Sequence, residues 1–111
     1  MAVDNFKMLH QSQIGTTAGA LYTVPANHET IIKGITLVNN DSEALWVILF
    51  HTTGTTYNET TRILPPTTML AGGFGEFDGT ITMDAADIIG GDAEQASEIT
   101  ITIYGDEIDV S

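Results

Sequence analysis

Short runs of apolar and β-branched residues alternate with clusters of turn-forming residues along most of the chain. The runs predict strands over residues 14–16, 21–24, 30–38, 44–51, 61–64, 68–70, 75–77, 80–83 and 98–104. Glycine, proline, asparagine and aspartate fill the intervals between them, as expected for turns. Many short strands separated by turn signals at intervals of roughly 8 to 12 residues are typical of a sandwich or a barrel. We therefore predict an all-β fold: a single antiparallel β-sandwich, jelly-roll-like, with about eight strands.

Two of these runs also predict which side chains are buried. In residues 99–104 isoleucine alternates with threonine, which indicates a strand with one buried face. The run Leu45-Trp46-Val47-Ile48-Leu49-Phe50 is apolar on both faces. A strand of this kind usually lies in the middle of a sheet, with its second face covered by an arm, a loop or another subunit. This strand therefore suggests an oligomer.

The first twelve residues lack the rhythm of a strand but contain three large apolar side chains, Phe6, Met8 and Leu9. We predict that residues 1–12 form an extended N-terminal arm that docks on a partner, and that residues 13–111 form the sandwich domain. A frayed terminus with a few apolar residues is the alternative interpretation.

Charge and composition exclude several classes of function. Three basic residues oppose 15 acidic ones, giving a formal net charge of −12. Such a chain repels phosphate backbones and anionic lipid surfaces, so neither nucleic acid nor a membrane is an expected partner. No apolar run approaches the roughly 18 residues that span a bilayer, and we expect no secretion signal. The chain has no cysteine, so disulfides cannot stabilise it.

Motifs for catalysis or cofactor binding are missing from the sequence. The three histidines, His10, His28 and His51, are not spaced as metal ligands, and no Gly-x-Ser-x-Gly motif occurs. The glycine-rich segment 72–75 is not followed by the lysine that a phosphate-binding loop requires. We therefore predict that the chain is not an enzyme and carries no cofactor.

Carboxylates cluster at Asp84, Asp87, Asp92 and Glu94, and hard cations such as calcium bind converging oxygen ligands. Ile88 and Ile89 interrupt the spacing of an EF-hand loop. The cluster is therefore interpreted as a solvated acidic segment with no metal, and a weak surface calcium site is the alternative.

Aromatic residues provide candidates for binding. Trp46 lies in the most apolar run and is predicted to pack in the core, although an exposed Trp46 would suit a carbohydrate-binding platform. Tyr57 lies in the polar segment 52–60 and is the best single candidate for an exposed contact residue.

Three stretches resemble a known group of proteins. Residues 14–26 end in Tyr22-Thr23-Val24-Pro25-Ala26, and after a short polar turn an apolar strand closes on Asn39. Near the C-terminus, Ile89-Gly90-Gly91-Asp92-Ala93 precedes the strand that runs from Ile99 to Asp106. In this order the stretches resemble the small all-β virion structural proteins of tailed bacteriophages.

The resemblance implies a non-enzymatic structural protein of the virion. It favours a head decoration (cement) protein that stabilises the capsid shell as a homo-oligomer, most often a trimer, with the major capsid protein as its partner. Such a protein lies on the outer capsid surface and is assembled in the host cytoplasm. On this interpretation Phe6, Met8, Leu9 and Tyr57 are the candidate contact residues. A neck or tail component, or a receptor- or carbohydrate-binding module, is the alternative.

Overall fold

A computed structural model of the chain describes residues 6–111, which contain nine β-strands and no helix. The strands are β1 (Phe6–Gln13), β2 (Gly19–Thr23), β3 (His28–Asn39), β4 (Leu45–Thr52), β5 (Arg62–Met69), β6 (Phe74–Phe77), β7 (Ile81–Met83), β8 (Ile88–Ala93) and β9 (Ile99–Asp109). Within the described range, no helix is long and apolar enough to cross a membrane.

The strands form two antiparallel sheets, which we call sheet I and sheet II. Sheet I has the order β1-β9-β3-β6, and β7 also pairs with β3. Sheet II has the order β2-β8-β4-β5. Each pairing is antiparallel. The predicted β-sandwich is thus confirmed, with nine strands over residues 6–111 in place of about eight.

The core lies between the two sheets. Ile99, Ile101 and Ile103 of β9 are fully buried, as their alternation with threonine predicts. They belong to one hydrophobic cluster with the alternate residues Leu45, Val47 and Leu49 of β4. The alternation in residues 99–104 therefore predicts the inner face of sheet I correctly at its centre.

One predicted turn is part of a strand. Pro65 and Pro66 lie within β5, at the edge of sheet II. An edge strand tolerates proline because the missing N–H group would point away from the sheet. The β4–β5 register also shifts between Val47 and Leu49, which leaves the two prolines out of the regular ladder.

A second predicted turn is also a strand. The segment Ile89-Gly90-Gly91-Asp92 is the middle of β8, which lies inside sheet II between β2 and β4. A Cβ atom on Gly90 would lie 2.5 Å from the ring of Tyr57, and one on Gly91 would lie 2.7 Å from the side chain of Leu21. These glycines make room for neighbouring side chains and do not serve to reverse the chain.

The N-terminal region differs from the expectation of a free arm. Residues 6–13 form β1, which pairs with β9 along its length as an edge of sheet I. The predicted strand at 14–16 is part of the connection that follows β1, and its Ile14 is fully buried. Residues 1–5 of the predicted arm lie outside the described residues, so for them the arm stays a prediction.

Candidate protein-interaction surfaces

The outer face of sheet I carries exposed apolar side chains. Because the odd-numbered isoleucines of β9 point into the core, Tyr104 and Asp106 point outward. The register of β1 places Met8 opposite Tyr104 and Phe6 opposite Asp106. Phe6 is 55% exposed and Met8 is 52% exposed. Two of the predicted contact residues are therefore neighbours on one open face.

A charged pair lies under Phe6. The Nζ atom of Lys33 is 2.9 Å from the Oδ2 atom of Asp106, and it also lies 5.8 Å from the centroid of the Phe6 ring. Such a cation–π contact contributes about 0.5–1 kcal/mol at an exposed site. Lys33 reaches this face because the β3–β9 register shifts between Ile32 and Gly34. The bulge thus positions a cation that neutralises Asp106 and contacts the aromatic ring.

The other side of the same face is formed by β3 and β6. Phe74 is 64% exposed and lies opposite Val38, and Glu76 lies opposite Thr36. Uncharged polar residues occupy the centre, where the Gln11 side-chain amide donates a hydrogen bond of 3.0 Å to Thr102. We call this surface the sheet I patch, and it consists of Phe6, Met8, Gln11, Gln13, Lys33, Thr36, Val38, Phe74, Glu76, Thr100, Thr102, Tyr104 and Asp106.

The other two predicted contact residues lie elsewhere. Leu9 packs against the hydrophobic core, because the β1–β9 register shifts between Met8 and His10 and turns its side chain inward. Tyr57 packs edge-on against Phe50, with 5.5 Å between the ring centroids, on the outer face of sheet II. Tyr57 is therefore a half-buried anchor of its loop. The structure does not bring the four residues together.

The outer face of sheet II contains a shallow apolar groove. It is lined by Trp46, Ile48, Pro66 and Thr68. Trp46 is only partly buried, which differs from the predicted core position. The outward positions of β4 are thus covered unequally: the loop residue Tyr57 covers Phe50, whereas Trp46 borders an open groove.

Tyr22, which belongs to the Tyr-Thr-Val-Pro-Ala segment, is buried. Its hydroxyl donates a hydrogen bond of 2.6 Å to the carboxylate of Glu107 and lies 2.8 Å from the hydroxyl of Thr30. Burial and the adjacent Glu107 raise the pKa of Tyr22 well above its usual value. Lys7 of β1 lies 3.4 Å from the other oxygen of Glu107. The tyrosine therefore connects sheet II to sheet I and is not a surface platform.

A histidine and a serine come close in a polar cleft between β1 and β2. His10 Nε2 is 2.7 Å from Ser12 Oγ, and burial lowers the pKa of His10. In residues 6–111 no carboxylate is hydrogen-bonded to the other ring nitrogen of His10, so the pair lacks the group that orients a catalytic base. The two residues lie two positions apart on one edge strand, where this contact is a local one.

The four clustered acidic residues do not converge on one point in the structure: Asp84 and Asp87 are adjacent, and Asp92 and Glu94 have other neighbours. Asp87 accepts a hydrogen bond from the backbone of Asp84 and lies 3.5 Å from His51. Glu94 accepts one from the backbone of Trp46. In the described part of the chain, no group of three or more histidine or acidic side chains could hold a metal ion.

Asp92 lies on the outer face of sheet II, opposite Ile48. Its Oδ1 atom is buried and has no hydrogen-bond partner among the described residues. Burial raises the pKa of Asp92, although a hydrogen bond with the backbone of Ala93 acts in the opposite direction. The folded protein therefore binds a proton at Asp92 more tightly than the unfolded chain does, and the ionised carboxylate lowers stability.

We expect Asp92→Asn to raise the free energy of unfolding at neutral pH, because it removes the buried negative charge. As the pH falls, wild-type Asp92 protonates first in the folded state, so the advantage of the variant shrinks and vanishes below the ordinary pKa of 3.8. Urea denaturation across this pH range measures the difference. Asp109→Asn is the control, since hydrogen bonds from Ser111 lower the pKa of Asp109 and its replacement should not stabilise. A gain for Asp92→Asn that does not change with pH would contradict this explanation.

Comparisons with known proteins show a similarity in fold to a solved structure. No protein-family model matches the chain, and no curated protein matches it. Among solved structures, the fold is similar to a chain from the acidic stable capsid structure of Helicobacter pylori bacteriophage KHP30, with a TM-score of 0.55. The similarity covers 98% of this chain and 96% of that chain at 13% sequence identity. At this identity the similarity concerns the fold.

Proposed function

We propose that this chain is a non-enzymatic structural protein of a tailed-phage virion, and specifically a head decoration (cement) protein that binds the major capsid protein on the outer capsid surface. The observation that carries the proposal is the shared fold with a chain of a bacteriophage capsid structure. That similarity extends over almost the whole length of both chains, with 98% and 96% covered.

The surfaces of the molecule suit attachment to other proteins. The sheet I patch exposes Phe6, Met8 and Phe74, and exposed apolar groups of this size mark interaction sites. A decoration protein that bridges neighbouring shell subunits needs only a modest interface, because many copies act together on one shell. The net charge of −12 keeps free copies soluble and repels them from nucleic acid during assembly.

We further propose that the protein acts as a homo-oligomer, with a trimer favoured, and that exposed residues of its N-terminal segment contact a partner chain. Of the four predicted contact residues, we retain Phe6 and Met8 in this proposal because their side chains are exposed. Leu9 packs against the hydrophobic core and Tyr57 packs against Phe50 on sheet II, so we do not retain these two residues as contacts.

The test is the number of copies of this chain in each purified virion of the phage that encodes it. Quantitative mass spectrometry against the major shell protein measures that number. We expect a ratio of the same order as one copy per shell subunit, since a cement protein occupies the whole lattice. Particles that lack the protein should lose integrity at lower temperature than complete particles. Absence of the chain from purified particles would refute the virion assignment.

The alternative is a neck or tail component, or a receptor- or carbohydrate-binding module. The observation in its favour is the groove beside Trp46, since a partly exposed tryptophan next to apolar side chains suits stacking against a sugar ring. A handful of copies per virion in the same measurement would favour this alternative over the lattice role.

A further inference from the structure

We infer that the sheet I patch is covered by a second copy of this chain. The inference concerns which surface forms the homo-oligomer, and it rests on the oligomeric part of the proposed function. It depends on three properties of the patch: its apolar content, its low net charge and its size.

The exposed large apolar side chains are concentrated on one side of the molecule. In residues 6–111 these are Phe6, Met8, Leu70, Phe74, Ile108 and Val110. Phe6 and Met8 lie on β1 and Phe74 lies on β6, the two edge strands of the patch. Ile108 extends the outward row of β9 beyond Asp106, opposite the exposed Glu29. None lies on a strand of sheet II. The outer face of sheet I therefore gains most from being removed from water.

The net charge of the molecule indicates which kind of partner can cover the sheet I patch. The chain carries a net charge of −12, so two copies repel each other wherever their acidic surfaces meet. Many acidic side chains lie in the connections between strands, at Asp41, Glu43, Glu59, Asp78, Asp84, Asp87, Glu94 and Glu98. The faces of the sandwich are consequently less charged than its ends.

The patch itself is almost neutral. Its charged side chains are Lys33, Asp106 and Glu76, and the first two neutralise each other across 2.9 Å. Around them lie uncharged threonines and glutamines, which can donate and accept hydrogen bonds with polar groups of a neighbouring copy. A basic partner would bind more strongly to the acidic ends of the sandwich, whereas a second acidic copy can approach closely at this face.

The size of the patch is compatible with a protein interface. Strands lie about 4.8 Å apart and rise about 3.3 Å per residue, so four strands present a plane of roughly 400 to 500 Å². The accessible surface is larger, because side chains such as Phe6 and Phe74 stand above that plane. Each partner in a standard interface buries about 800 Å². The plane of the patch supplies about half of that area, so the protruding side chains and the immediate rim have to supply the rest.

The test measures the oligomeric state of the full-length protein in solution by sedimentation equilibrium. Wild-type protein is expected to self-associate. Met8→Glu replaces an exposed apolar side chain of the patch with a negative charge and should raise the dissociation constant at least about 10-fold. Thr68→Glu is the matched control: it adds the same charge at an exposed position of β5, at the rim of the groove on sheet II, and should leave association unchanged. Equal thermal midpoints for the two variants' monomers would show that both fold.

Several outcomes would overturn the inference. These are a wild-type protein that stays monomeric up to about 1 mM, a Met8→Glu variant that associates like wild type, or a Thr68→Glu variant that dissociates as readily as Met8→Glu. A monomeric wild type whose binding to purified shells is abolished by Met8→Glu would instead assign the patch to the shell protein. The virion assignment is tested separately, because the copy number per particle does not depend on association in solution.

Discussion

Gly105→Ala is expected to lower the free energy of unfolding by about 3 kcal/mol, a large loss for a substitution that adds one carbon atom. A Cβ atom at this position would lie 2.2 Å from the carbonyl oxygen of Ile31 and 2.9 Å from the Cα atom of Ile32. Both are backbone atoms of β3, the strand paired with β9, so no side chain can rotate away to make room. The two strands would have to separate.

A neighbouring glycine provides the control. Gly34 lies on the other side of the same β3 bulge, opposite Tyr104, and a Cβ atom there would meet no atom within 4 Å. Gly34→Ala should therefore change stability by less than about 1 kcal/mol, in either direction. Urea denaturation of both variants gives the comparison. Equal losses for Gly105→Ala and Gly34→Ala would contradict the packing explanation.

This close approach has a consequence for the surface. The contact between Gly105 and β3 occurs where the register shifts between Ile32 and Gly34. That shift is what directs Lys33 to the outer face, within 2.9 Å of Asp106 and 5.8 Å of the Phe6 ring centroid. A residue buried in the sheet thus helps to arrange the outer surface proposed to bind a second copy.

The central strands could be predicted from the sequence because their apolar residues form clear patterns. The isoleucines of β9 alternate with threonine and are fully buried, whereas β4 is marked by a continuous apolar run. The limits of other strands could not be predicted in this way. Gly90 and Gly91 resemble a turn, but in β8 they give space to Tyr57 and Leu21. A local sequence pattern cannot indicate this need for space, because it comes from residues that are distant in sequence.

The candidate contact surface was only partly predictable for a related reason. Phe6, Met8 and Leu9 are apolar residues close together on a polar edge strand, and sequence alone treats them alike. In β1 the register shift between Met8 and His10 sends Leu9 toward the core and leaves Phe6 and Met8 outside. A bulge changes the side of the sheet to which single side chains point, and the amino-acid composition does not indicate where a bulge occurs.

Asn39 illustrates a polar residue whose importance depends on burial. The sequence assigns it to the end of a strand, and the structure places it at the end of β3 with no exposed surface. Its side-chain amide donates to the carbonyl oxygens of Glu43, Met69 and Leu70 at 3.0 to 3.2 Å. Its Oδ1 atom accepts a hydrogen bond of 2.9 Å from the backbone of Asp41. One side chain thus joins the end of β3 in sheet I to the end of β5 in sheet II.

We expect Asn39→Ala to lower the free energy of unfolding by about 3 kcal/mol, because buried backbone groups lose their partners and no water replaces them. The adjacent Asn40→Ala is the matched control. Asn40 also donates two side-chain hydrogen bonds, to Glu98 and Thr100, but it is exposed, so water can take its place. Its removal should cost less than about 1 kcal/mol. Urea denaturation distinguishes the two cases, and similar losses at both positions would mean that burial does not decide the strength of this contact between the sheets.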